Sequence, residues 1–222
     1  ICVEKNSELE EGHPSRKFKG RVVFLGNQVL NQNYEAAVFQ DQGNAPATME
    51  VARVADCIGC LPGHSVEIAD AVQAYVQAEL GGDACWVHLP PEVRPQSSLW
   101  SKMRDPVVRL KKALYGHPDS GTFWEKHCAV RASEVGFKAV GPEWPSVYIH
   151  AELRLFLVVY VDDFKLSGPT ENLKKGWALL RGRLGIDPET PLGHYLGCNQ
   201  TMEETMLPDG HKVRRIVYDM SQ

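Results

Sequence analysis

"LFLVVYVDDFKLSG" (residues 155–168) sets two adjacent aspartates, Asp162 and Asp163, at the end of one of the most apolar runs in the chain. The residues on either side have strand character, so the pair falls at a hairpin turn. Hairpin turns favour aspartate. This one, however, has no glycine at its tip and is flanked by strongly apolar residues. Adjacent carboxylates repel, and burial raises their pKa values further. A divalent cation relieves the repulsion, because Mg²⁺ takes hard oxygen ligands, typically one or two carboxylates plus substrate phosphates.

A pair of carboxylates is not yet a site, and the best third member is Asp70. It ends the short strand "HSVEIAD" just before a predicted helix over "AVQAYVQAEL". The same position suits a helix N-cap, with Gln73 at the capping-box position, and the two roles are compatible.

Working outward, "FKGRVVFLG" (18–26) reads as a strand with Lys19 and Arg21 on one face and Val22 and Phe24 on the other. A polar loop follows, then a helix over 46–61 stopped by Pro62-Gly63. "CWVHL" is a short strand, "PVVRLKKALYG" a strand or hairpin, and "SGTFWEKHCAVRASEVGF" a helix with Gly136 just past its end. "SVYIH" and "LRLFLVVYV" are strands around a turn. The clearest helix is 170–185, with Leu173, Trp177, Leu180 and Leu184 on one face and Thr170 placed to cap it. Strands and helices mix without strict βα alternation, which predicts an α+β fold.

The 222 residues are 43% hydrophobic and 23% charged, ordinary values for a globular chain. No apolar run reaches membrane-span length, and residues 1–15 lack the apolar stretch of a secretory signal. The scattered cysteines resemble reduced thiols more than a disulfide framework, so an intracellular, non-secreted setting is expected. The net charge of −4 does not mark a nucleic-acid binder. Local basic clusters, including Lys111 with Lys112 and Lys174 with Lys175, can still meet phosphates. Cys57-Ile-Gly-Cys60, with His64 nearby, has a spacing known from zinc and redox sites. It lies in a helical run with no second Cys/His pair, and core packing is the favoured reading.

Five motifs in order carry a family resemblance: "KGRVVFLG", "VEIADAVQAYVQAEL", "VVRLKKALYG", "LFLVVYVDDFKLSG" and "PLGHYLG". Over about residues 16–200 the chain resembles the reverse transcriptase region of copia-type retrotransposon polyproteins. The resemblance implies a right-hand polymerase fold with a mixed or antiparallel palm sheet. Fingers are expected at about 16–65 and 81–120 and palm at 66–80 and 121–200. Residues 1–15 are then an exposed lead-in and 201–222 a strand or linker toward a largely missing thumb. The implied activity is RNA-directed DNA polymerisation, the transfer of a nucleotide from a dNTP to a primer 3′-hydroxyl on an RNA or DNA template. Asp70 and Asp162 would ligate two Mg²⁺ ions, with Mn²⁺ as a substitute, and Asp163 would complete the catalytic and metal set. Lys19 and Arg21 would grip the triphosphate, and Tyr75 would stand against the sugar and exclude a 2′-hydroxyl. Lys111, Lys112, Lys174 and Lys175 are candidates for nucleic-acid phosphates. A parent polyprotein would add integrase and RNase H regions, in a cytoplasmic virus-like particle or the nucleus.

After LYG the family continues Leu-Lys-Gln-Ala-Pro-Arg-Ala-Trp, whereas this chain reads "HPDSGTFW". Trp124 keeps the tryptophan, and Asp119 replaces the glutamine. A carboxylate near a triphosphate is unfavourable. A catalytically decayed domain that keeps only the fold or nucleic-acid binding is therefore the alternative, and another two-metal palm enzyme is a third reading.

Overall fold

The structure, a computed structural model, describes residues 2–5, 18–39 and 46–221, and of 2–5 and 18–21 the backbone alone. Glu8, Glu10, Glu11, Arg16 and Lys17, and part of the polar loop, lie outside the described residues. β1 (Cys2–Lys5) pairs with β2 (Phe18–Arg21), so the expected lead-in contains a strand. β2 ends earlier than the sequence suggests. Beyond it the Phe24 amide donates to the Tyr115 carbonyl (2.7 Å) and extends no ladder.

α1 (Met49–Gly59) buries Val51, Ala52, Ala55 and Asp56. That orientation leaves Cys57 exposed and Cys60 half-buried, so the Cys-x-x-Cys pair is not core. β3 (His64–Asp70) follows, then α2 (Ala74–Gln77), a single turn where a helix over 71–80 was expected. Tertiary bonds tie both flanks of that turn to other segments, and at the far end one of them takes the Leu80 amide that a longer helix would use. The Ala71 amide goes to the Asp162 carbonyl (2.7 Å), that of Val72 to Gly185 (2.9 Å) and that of Leu80 to Lys111 (2.8 Å). Gln73, at the cap, is left-handed (φ 50°). Asp70 is thus a strand end and not an N-cap.

β4 (Trp86–His88) and β5 (Val107–Arg109) pair on either side of the short α3 (Ser98–Ser101). Then come α4 (Ser120–Glu134), β6 (Lys138–Ala139), β7 (Val147–His150), β8 (Leu155–Tyr160), β9 (Asp163–Pro169) and α5 (Thr170–Arg181). Thr170 does not cap α5. It is the first helical residue, and its hydroxyl donates to the Gly63 carbonyl (3.2 Å). The chain closes with β10 (Thr190–Pro191), β11 (His194–Tyr195), β12 (Cys198–Met206) and β13 (Lys212–Asp219).

The central sheet runs β10-β3-β9-β8-β7-β6, antiparallel throughout, and the architecture is α+β. Strand alternation sorts its two faces. Leu155, Leu157, Val159, Phe164 and Leu166 pack with Trp124 of α4 and with Leu173, Trp177 and Leu180 of α5. All four apolar residues expected on the 170–185 face are buried. Each large side chain buried there contributes roughly 1.5–3 kcal/mol. α5 comes so close to β8 that a Cβ on Gly176 would sit 2.4 Å from Leu155. On the other face Val147 and Val158 meet α1, and Ile68 meets Ala52 and Tyr195.

The same face holds a buried ion pair. Lys165, fully buried, lies 2.7 Å from Asp56 and 2.8 Å from the Gln200 side-chain carbonyl, with its ammonium 4.2 Å from the Tyr195 ring centroid. Tyr218 donates its hydroxyl to the second Asp56 oxygen (2.7 Å). The Arg214 guanidinium donates to the Leu61 and His64 carbonyls just past α1. Residues 198–219 are therefore a hairpin seated on α1, which takes in most of the segment 201–222 expected as a strand or linker. No helix among the described residues is long and apolar enough to cross a membrane.

Candidate active site

Asp70 and Asp163 stand opposite each other in the β3–β9 register, and Asp163 also faces Tyr160 across the β8–β9 hairpin. Asp162 occupies the turn between those strands. Its carbonyl accepts the Ala71 amide, which ties the turn to the residue after Asp70. Three carboxylates from segments some ninety residues apart thus share one end of the sheet. Asp70 and Asp162 are exposed and Asp163 is half-buried. Burial first, then the charges of Asp162 and Asp70, push the Asp163 carboxyl up to about 6.

The turn is held by more than its own strands. Val161 sits in the left-handed region (φ 55°), an outlier for a β-branched residue that costs about 1–3 kcal/mol. Its carbonyl accepts the indole N–H of the buried Trp124 (2.6 Å). On the Asp70 side, the Gln77 amide nitrogen donates to the carbonyls of Val72 (2.7 Å) and Gly185 (2.9 Å). The Gln77 side-chain oxygen takes the Gly185 N–H (2.8 Å). The Asp187 amide donates to the Asp70 carbonyl (2.9 Å), so the segment after α5 also brackets the site.

Tyr75 is half-buried beside the carboxylates, and burial followed by the Asp162 charge raises its phenol above the usual range. Its ring packs edge-on against Tyr115, centroids 4.7 Å apart. Tyr115 is the tyrosine of the "LKKALYG" run and was assigned no role from sequence. Its carbonyl holds Phe24, three residues past Arg21, so the basic strand leads directly to this aromatic pair. The approach is tight, because a Cβ on Gly116 (φ 87°) would lie 2.1 Å from the Phe24 carbonyl oxygen. Lys19 and Arg21 lie on β2 opposite Glu4 and Cys2, and their side chains are outside the described structure.

The other basic candidates divide. Lys111 and Lys112 are exposed on the strand segment bridged to Glu79, and Lys112 donates to the Gln77 carbonyl (3.1 Å) and stands 3.8 Å from Glu79. Lys174 and Lys175 are exposed on α5, which packs on the sheet face opposite to Asp70 and Asp163, so the fold does not bring them to the carboxylates. Asp119 is half-buried just before α4, with its amide donating to His117 Nδ1 (3.2 Å).

Tyr195 lies beneath the carboxylates on the α1 side. Burial, Asp163 and Asp56 raise its phenol, and its hydroxyl has no hydrogen-bond partner among the described residues. Parity was the available signal for this layer. Lys165 and Asp163 are two apart in β9 and so share a face, and Phe164 and Leu166 share the other.

Among the described residues no three His, Cys, Asp or Glu side chains meet in metal-holding geometry. The donor chemistry nonetheless fits a hard divalent ion. Asp163 is held toward protonation first by burial and then by its two carboxylate neighbours, and a cation relieves the repulsion among the three. Comparison with protein-family models and with curated proteins finds no match for this chain.

Proposed function

We propose that this chain is a reverse transcriptase domain of the copia retrotransposon type, an RNA-directed DNA polymerase acting on dNTPs and a primed template. The observation that carries the reading is the gathering of Asp70, Asp162 and Asp163 at one sheet end beside Tyr75. In this reading the six-stranded sheet with α4 and α5 is the palm, and the smaller paired strands and the turn at Tyr115 belong to the fingers. Asp70 and Asp162 would hold Mg²⁺. The bound ions supply charge neutralisation and a lowered pKa for the primer 3′-hydroxyl. The chain's own residues do the placing. The β3–β9 ladder sets the carboxylates side by side, and Tyr75, backed by Tyr115, walls the sugar position against a 2′-hydroxyl. Lys19 and Arg21 are assigned to the triphosphate, and Lys111 and Lys112 to nucleic-acid phosphates.

The second reading, a domain that binds nucleic acid without extending it, is favoured by Asp119, a half-buried carboxylate at the position of the family's glutamine. Primer extension on poly(rA) with an oligo(dT) primer separates the two. Wild type is expected to incorporate dTTP with Mg²⁺ or Mn²⁺, and Asp162→Asn and Asp70→Asn to lose about a hundredfold or more. Equal incorporation by wild type and Asp162→Asn would end the polymerase reading. Retention of primer-template in a gel shift without any extension would establish the second.

A further inference from the structure

We propose that Trp124 is a positioning residue for Asp162, acting through its indole N–H on the peptide that precedes the aspartate; this rests on the polymerase reading of the carboxylate site. Two successive carbonyls of the turn are pinned to different parts of the fold. That of Val161 accepts Trp124 Nε1–H from α4 (2.6 Å), and that of Asp162 accepts the amide of Ala71, next to Asp70 (2.7 Å). Together the two bonds fix the peptide plane from which the Asp162 side chain departs and lock it to the strand end that carries Asp70.

The turn needs such a restraint. Val161 at φ 55° has no local preference for its conformation, unlike the glycine or asparagine usual in tight hairpins. An unrestrained chain relaxes by rotating that peptide, which swings Asp162 away. Trp124 is 2% exposed, so water does not compete for the bond and does not replace it when it is lost. The ring also belongs to the core and lines a small cavity with Cys128, Tyr148 and Val159, but a phenyl ring fills most of its space too. What only the indole supplies at this spot is the donor.

The test compares wild type with Trp124→Phe, and with a chain carrying 3-benzothienylalanine at 124, which keeps the indole shape without the N–H and covers the case in which the phenylalanine variant fails to fold. Maximal dTTP incorporation is expected to fall about tenfold and the Mg²⁺ concentration for half-maximal rate to rise severalfold, while primer-template affinity stays within twofold. Hydrogen exchange at the Ala71 amide is expected to accelerate at least tenfold, with amides inside α5 unchanged. A rate within twofold of wild type, or a lowered rate with Ala71 still protected, overturns the proposal. If wild type incorporates nothing, the polymerase reading falls, and Ala71 exchange alone then decides whether the N–H holds the turn.

Discussion

His117 illustrates how a single side chain ties chemistry to the fold at this end of the molecule. Its ring lies 5.1 Å from Phe24 and 5.5 Å from Phe39, and Nδ1 accepts the Asp119 amide, so the proton resides on Nε2. Burial lowers its pKa from the ordinary 6.5, and the Asp119 charge offsets this only in part. A histidine with a depressed folded pKa contributes stability that is present above the unfolded value and lost as pH falls through the folded one. Thermal unfolding of wild type against His117→Gln is therefore expected to show a difference in Tm that shrinks by a few degrees, roughly, from pH 7 to pH 5. A difference constant over that range would show that protonation carries no penalty there. His117 also gives Asp119 a structural neighbour, through the backbone and through charge, that its place in the sequence did not suggest.

At the scale of elements, the β12–β13 hairpin depends on few contacts. Lys165→Met strands the Asp56 carboxylate in a closed interior and is expected to cost about 3–5 kcal/mol in urea unfolding. Tyr218→Phe removes one donor from the same carboxylate and should cost about 1–2 kcal/mol. Adding Asp56→Leu to Lys165→Met should recover most of the loss, because an apolar pair of similar volume has no charge to desolvate. A double variant no more stable than Lys165→Met alone would place the loss in packing instead. These elements also mark where sequence was informative. The Leu173, Trp177, Leu180, Leu184 face and the Asp162–Asp163 hairpin are written in local periodicity, and local periodicity is what a chain shows when read by itself. The helix predicted over 71–80 shrank to one turn between a left-handed Gln73 and an extended Ala78, with the Leu80 amide drawn to the Lys111 carbonyl from afar. The Trp124 bond to Val161 and the Lys165 pair with Asp56 join residues 37 and 109 positions apart, and no window of sequence contains both members.

For the molecule as a whole, the decisive pairing is remote. β3 and β9 lie side by side, His64 opposite Pro169 and Asp70 opposite Asp163, although about a hundred residues separate them in the chain. Loop closure of that length precedes any gain from the ladder, so refolding is expected on the order of seconds, with intermediates visible by stopped-flow fluorescence. Complete refolding within a millisecond would contradict this. A ladder formed between such distant partners can also form out of step, and a slip of one residue turns every side chain of β9 over. In the slipped pairing Lys165 would leave the Asp56 side for the face of Trp177 and Glu67, while Phe164 would meet the buried Asp56 carboxylate with no cation beside it. The lysine therefore acts as an indexing pin: only the native alignment brings its ammonium to the Asp56 carboxylate buried on that face. Because Asp163 lies two positions away on the same strand, the pin that indexes the sheet also decides which side the acidic cluster occupies.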